Sequence, residues 1–225
     1  MVRWSPGRKY RDLRLRLDAV ESLVAIKEAF SYEELTPVLK LPASVLSRYY
    51  QGTMVPNIET SRYILNSLLS KEFVKDFIYR LVNQKYGGDA VKLLSNPKVV
   101  NYLSIYLYNR IISKLAGTSV NAVIAPPDQS ATLASHIAYR LGVPLALIES
   151  ASTPIYEGLV KGVSIERGNA VVAVYAFFGR ECLPYLWKFV EHFKLDLKLI
   201  EVIMLADVIR PEEIPRRAPI DNILP

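Results

Sequence analysis

Residues 169–183 read "NAVVAVYAFFGRECL". A run of small and β-branched apolar residues from Ala170 to Val174 passes through Tyr175, Ala176, Phe177 and Phe178 into Gly179-Arg180-Glu181, where a helix is expected to start. Apolar runs without alternation belong to strands buried on both faces, so this one reads as a central strand of a mostly parallel sheet. The turn after such a strand is where an open α/β sheet holds its ligand. Hardly a catalytic side chain stands in that turn.

The flanking sequence repeats the pattern. A long helix is expected over 97–116, closed by Gly117. It is followed by a strand in "NAVIAPP", a helix in "SATLASHIAYRLG", a strand in "PLALIES", a loop of small residues and a strand in "VSIER". After the strand quoted first come a helix, "CLPYLWKFVEHFK", and a strand, "LKLIEVIML". Apolar runs separated by amphipathic helices predict an α/β domain, a mostly parallel, doubly wound sheet covered on both faces. The tail "RPEEIPRRAPIDNILP" carries four prolines and is expected to be extended.

The first part of the chain has a different period. Leu13, Leu17, Val20, Leu23 and Val24 fall at helical spacing and predict a first helix over 12–30. "SYEE" is a capping box with Ser31 as N-cap and Glu34 three residues on, opening a helix over 32–39. After Lys40-Leu41, Pro42 sits where a first-turn proline is tolerated, and "ASVLSRYYQ" continues as a third helix to Gly52. Asn57 caps a fourth helix, and a fifth, over 72–86, stops at Gly87-Gly88. The expected organisation is an all-α domain over 1–88 with a helix-turn-helix at 30–52, the sheet domain over 89–210, and the tail 211–225.

Composition bounds the function. The chain has 225 residues, is 51% hydrophobic and carries a net charge of +6. Residues 1–86 hold 14 Lys and Arg against 9 Asp and Glu, and the remainder 14 against 13, so the excess is N-terminal. It is sharpest in "RWSPGRKYRDLRLRL", where Arg3, Arg8, Lys9, Arg11, Arg14 and Arg16 meet one acid, Asp12. Such a cluster suits a polyphosphate, and a solvated helix face has the same composition. One cysteine, Cys182, allows no internal disulfide and reads as a buried thiol in a helix's first turn, with a reactive thiol the alternative. With two histidines it makes no structural zinc site, and no metal or cofactor is expected. No apolar run approaches the roughly 18 residues of a membrane span, so a cytoplasmic protein without a membrane partner is expected.

A helix that reads DNA anchors one side in its own domain and offers short or polar residues on the other. In "LKLPASVLSRYYQG" the anchors would be Leu39, Leu41, Val45, Leu46 and Tyr49. Ala43, Ser44, Ser47, Arg48 and Gln51 would then be open to base edges and phosphates, with Arg8, Lys9 and Arg11 adding phosphate contacts. The alternative is a helical hairpin that only packs. The segment resembles the helix-turn-helix of repressors of the Cro and LacI type, whose second helix ends Ser-Arg, two hydrophobic residues, Asn-Gly. Here "LSRYYQG" matches with Gln51 for Asn, and Thr36-Pro37 replaces the alanine usual in the first helix.

Residues 97–207 resemble the type I phosphoribosyltransferase fold. That resemblance implies a sequence hallmark at the strand quoted first: apolar residues, an acidic pair that holds ribose hydroxyls, and a Thr-rich turn that holds a 5′-phosphate. The pair falls on Tyr175 and Ala176, and the turn on Gly179, Arg180, Glu181 and Cys182, with no Thr or Ser. The pyrophosphate-side loop falls on residues 126–130 and lacks glycines, and the flexible loop over 150–162 keeps Lys161. Losing two charge-assisted acceptors costs about 1.5–3 kcal/mol each. A domain kept for something other than catalysis is therefore expected, with Asp128, Gln129, Ser130, Gly179 and Arg180 as the ligand-binding set at the carboxyl ends of neighbouring strands, or with that crevice filled by the bulky Tyr175, Phe177 and Phe178.

The two resemblances together are similar to archaeal regulators of purine and pyrimidine metabolism. They imply a homodimeric transcription regulator that binds double-stranded DNA, with the phosphoribosyltransferase-like domain serving dimerisation and sensing a nucleotide or other phosphorylated effector. The alternatives are a divergent phosphoribosyltransferase acting on orotate or a purine, and an interaction scaffold without DNA affinity.

Overall fold

The structure, a computed structural model, describes residues 7–148, 165–205 and 219–224. The chain divides into two compact units, Met1–Tyr106 and Leu107–Pro225. The division falls within a helix, later than the Gly87-Gly88 turn, because residues 89–106 pack with the helices that precede them. Tyr102 explains why: it is fully buried, donates its hydroxyl to Leu68 O, and sets its ring edge-on to Phe77 at 5.0 Å.

The first unit is helical. Helices α1 (Arg8–Ile26), α2 (Tyr32–Leu39), α3 (Ala43–Tyr50), α4 (Ile58–Leu68) and α5 (Lys71–Arg80) precede α6 (Pro97–Lys114), which enters the second unit. The capping box forms as expected: Ser31 Oγ accepts from Glu34 N, and Glu34 Oε2 accepts from Ser31 N at 2.8 Å. Asn57 caps α4 by accepting from Thr60 N at 2.8 Å. Each cap satisfies an orphan donor of a first turn, which is why these starts were legible.

Two helix expectations need correction here, and one element was not expected. Helix α1 begins four residues before Asp12 and ends at Ile26, and its buried side is Ala19, Ser22, Leu23, Ala25 and Ile26. Leu13 and Leu17, which suggested the helix, are 50% and 39% exposed. The fifth helix keeps α geometry only to Arg80 and continues as a π-turn over Leu81–Lys85. A 3₁₀ turn, Ala90–Ser95, is capped by Asp89, which accepts from Val91 N.

The second unit holds β1 (Ala122–Ala125), α7 (Gln129–Leu141), β2 (Leu145–Leu147), β3 (Ala170–Phe178), α8 (Cys182–His192), β4 (Asp196–Leu205) and β5 (Ile220–Leu224). The order β2-β1-β3-β4-β5 makes one five-stranded sheet in which every pairing is parallel. The predicted α/β class holds. Ile124, Ala173, Tyr175, Ile200 and Val202 form one face of the core with Leu183, Leu186 and Val190 of α8. Helix α7 packs on β1 and β3 through Leu133, Ala134 and Ile137.

The tail is not simply extended. Ile220–Leu224 pair in parallel with β4, with Glu201 beside Asp221, so the last described residues complete the sheet. Glu201 alternates with Ile200 and Val202 and therefore points to the opposite face. There Arg110 of α6 lies 3.5 Å from its Oε2 and is also paired with Asp221, which Lys114 joins. The expected strand in "VSIER" is not seen in its described part: residues 165–169 form a turn, with Asn169 N donating to Glu166 O at 3.1 Å. The rest of that strand, the loop with Lys161, and residues 206–218 of the tail lie outside the described residues.

Candidate functional site

In the helical unit, α2 and α3 are joined by the three residues Lys40, Leu41 and Pro42, and Lys40 takes the left-handed conformation at φ 49°, ψ 35° that ends α2. Leu35, Leu39, Leu46 and Tyr49 are buried and hold the two helices together and onto the unit. Of the expected anchors, Leu41 and Val45 are only half-buried. Pro37 lies on the exposed side of α2, and Thr36 Oγ1 donates back to Tyr32 O at 2.9 Å.

The opposite side of α3 is open. Ala43, Ser44, Arg48 and Gln51 are exposed, and Ser47 is half-exposed. Arg8, Lys9 and Arg11, in the first turns of α1, are exposed too. One turn of charge braces the start of α2 from behind. Glu34 accepts from Arg80 Nη1 at 2.6 Å, and Arg80 also reaches Asp76 at 3.1 Å. The backbone hydrogen bond from Ser31, and then the Arg80 contact, lower the Glu34 carboxyl from 4.5 to about 2. Glu28 is lowered as well, by Lys85 and Lys98.

In the sheet unit, β1 and β3 are direct neighbours, while the chain leaves β1 for β2 on the other side. The strand order reverses between β1 and β3, the place where such sheets open a crevice at their carboxyl ends. The loops there are Pro126–Asp128 after β1 and Gly179–Glu181 after β3, so the predicted ligand set is brought to one end of two adjacent strands.

The individual residues differ in what they offer. Asp128 is spent as the N-cap of α7, accepting from Ser130 N at 2.7 Å. Ser130 is fully buried, and its Oγ accepts from Ala176 N at 2.9 Å, tying α7 to β3. That bond makes Ser130 a fastener of the crevice wall rather than an open ligand group. Gln129 is half-buried, and its Oε1 is buried without a protein donor. Gly179 is buried beneath the Glu181 carboxylate, which fills the space a Cβ would need. Arg180 is exposed.

Tyr175 and Ala176 are 2% and 1% exposed. Tyr175 packs edge-on to Phe178 at 4.6 Å in the core under α8, and burial pushes its hydroxyl well above its ordinary range. The bulky strand end is thus structural. Cys182 is half-buried, less enclosed than expected. Among the described residues no group of His, Cys, Asp and Glu could hold a metal ion, and no helix is long and apolar enough to cross a membrane.

Sequence reasoning missed the Arg110, Glu201 and Asp221 cluster. Glu201 sits inside an apolar run and Asp221 in a proline-rich tail, so only the sheet register joins them. Comparison with known proteins agrees on architecture and on nothing finer. No protein-family model and no curated relative matches the sequence. An adenine phosphoribosyltransferase crystal structure is similar with a TM-score of 0.51 at 13% identity, over 60% of this chain and 86% of that one. Adenine phosphoribosyltransferase from Saccharomyces cerevisiae is similar with a TM-score of 0.51 at 15% identity, over 60% of this chain and 85% of that one. At such identity the likeness is one of fold: the protein carries an α/β fold of the type I phosphoribosyltransferase kind.

Proposed function

We propose that this protein is a DNA-binding transcription regulator whose sheet unit senses a ligand. The observation that carries the reading is the two-sided character of α3. Leu46 and Tyr49 are buried, while Ala43, Ser44, Arg48 and Gln51 lie exposed along the other side of a helix that follows a three-residue turn. Arginine pairs in two-pronged fashion with guanine and glutamine with adenine in the major groove. The exposed Arg8, Lys9 and Arg11 supply phosphate contacts that carry no sequence information but make binding salt-dependent. A homodimer with two recognition helices on half-sites about 34 Å apart belongs to the same proposal.

In the sheet unit the proposed ligand seat is the end of β1 and β3. Gln129 Oε1 supports it, since a buried acceptor without a donor costs about 1–3 kcal/mol and a bound ligand could supply one. Transferase activity is not part of the proposal. The Tyr175 and Ala176 positions are apolar and buried, and Glu181 places a carboxylate over the turn that would meet a phosphate. The fold neighbours are enzymes, so the competing reading is a divergent transferase. Pyrophosphate release from phosphoribosyl pyrophosphate with orotate or a purine would establish it and remove ours.

The direct test is a gel-shift titration against genomic DNA fragments at two salt concentrations. Arg48→Ala is expected to weaken binding to a preferred fragment by about 10-fold or more while leaving weak nonspecific binding. Arg8→Ala/Lys9→Ala/Arg11→Ala is expected to weaken all fragments alike and to flatten the salt dependence. Equal affinity and selectivity of Arg48→Ala and the parent chain would sink the recognition-helix assignment.

A further inference from the structure

Helix α1 has two apolar sides, of which the helical unit buries one and covers the other only in part. Ala19, Leu23, Ala25 and Ile26 are buried in the unit. Tyr10, Leu13, Leu17, Val20 and Val24 recur at intervals of three and four residues on the other side. Leu13 is 50% exposed and Leu17 39%, with Val20 and Val24 half-buried. An alternation of three and four over two heptads is the seam of a two-stranded coiled coil, and from Tyr10 to Val24 it runs about 21 Å. Exposed large apolar residues elsewhere among the described ones, such as Tyr139 and Val91, do not continue over successive turns in this way.

We propose that α1 pairs along this seam with α1 of a second copy of this chain, the two helices parallel and Leu17 facing Leu17. The second copy is favoured over another partner by the pattern itself. About a two-fold axis each seam residue meets its own equivalent, so one stripe supplies both halves of the contact. The flanking charges agree. Arg16 borders the seam on one side and Glu21 on the other, five residues apart, the separation at which flanking positions meet across a parallel pair; Glu21 Oε2 accepts from Asn101 Nδ2 of its own chain at 2.8 Å, which leaves Oε1 for the other copy. Arg16 is held beside the seam by donating Nε to Pro56 O at 2.7 Å. Arg14, which would otherwise oppose Lys9 of the other copy, is drawn back to Asp18 of its own helix at 3.3 Å.

Two heptads alone make a marginal coiled coil. Here the helix is already ordered by its buried side, so pairing carries no cost of helix formation. The assignment moves the dimer contact expected of the sheet unit onto the helical unit. It rests on the regulator reading only for the homodimer, and the contact can be tested without DNA.

Sedimentation equilibrium of the full chain in the absence of DNA is expected to give a dimer mass. Leu13→Glu/Leu17→Glu is expected to raise the dissociation constant by at least about 100-fold with unchanged helix content, because both side chains lie outside the core. Independently, Leu17→Cys is expected to form an inter-chain disulfide under mild oxidation, whereas Ile112→Cys, at a more exposed position, is not. A parent chain that is monomeric throughout, a Leu13→Glu/Leu17→Glu variant as dimeric as the parent, or the absence of the Leu17→Cys cross-link would each overturn the proposal. Any of these leaves the Arg48→Ala test of DNA recognition standing, and failure of that test leaves the mass measurement standing.

Discussion

The helical unit and the sheet unit handle polar residues in opposite ways. On α3 the polar side chains that suggested contact with a partner lie outside, and the apolar ones behind them form the anchor. At the ends of β1 and β3 several residues of the candidate ligand set are used by the fold itself. Asp128 caps a helix, Ser130 fastens β3, and Gly179 lies under a neighbouring carboxylate. A helix face can be assigned to solvent from periodicity, whereas a crevice is made of loops whose groups turn inward or outward according to their neighbours.

Substitutions of like chemistry should therefore act differently in the two units. The largest effect is expected for Arg110→Met, which leaves the wholly buried Glu201 and the nearby Asp221 without their shared guanidinium. Breaking such a pair costs about 3–5 kcal/mol, measurable as an earlier urea transition of Trp187 fluorescence. Arg48→Ala, at an exposed position, should by contrast stay within about 0.5 kcal/mol of the parent in stability while losing DNA selectivity. If both arginines prove equally costly to stability, α3 is a packing element and the contrast collapses.

Next in size is Ser130→Ala. It removes the acceptor for Ala176 N, and a buried donor left unmade costs about 1–3 kcal/mol. The unfolding midpoint of the sheet unit should fall while DNA affinity is unchanged. A Ser130→Ala chain of parent stability would mean that the hydroxyl is open to a ligand after all, bringing the crevice nearer to the exposed character of α3.

The smallest effect concerns the start of α2. With its carboxyl lowered from 4.5 to about 2, Glu34 contributes stability that is present above the ordinary value and is lost as pH falls towards the folded one. Thermal melts of the helical unit between about pH 6 and about pH 2 should show that loss. Glu34→Gln keeps the cap but not the charge, and should cost about 0.5–1 kcal/mol at neutral pH, with a flatter acid limb. An unchanged acid limb would place the acid sensitivity elsewhere, with Glu28, also lowered by its lysines, the next group to replace.

Much of the fold was legible because its signals are local. The caps at Ser31 and Asn57 act over three residues, and the apolar runs of β3 and β4 need no partner to be recognised. The first helix was found for an instructive reason: Leu13, Leu17, Val20 and Val24 have helical spacing, yet they mark the outer side, while the small residues Ala19, Ser22 and Ala25 help form the close-packed inner side. Hydrophobic periodicity tells that a face is apolar, not which neighbour covers it.

The residues by themselves determined most of the succession of helices and strands, the mostly parallel sheet and the two-sided third helix. Turn chemistry and periodicity are written in neighbouring residues. Only the tertiary structure decided that residues 89–106 pack with the helical unit, that Ile220–Leu224 join β4 as a fifth strand, and that Ser130 is a fastener. Each of these depends on groups distant in the chain, such as Tyr102 with Leu68, Glu201 with Asp221 and Ser130 with Ala176. A buried polar group takes the partner that the packed backbone brings within reach.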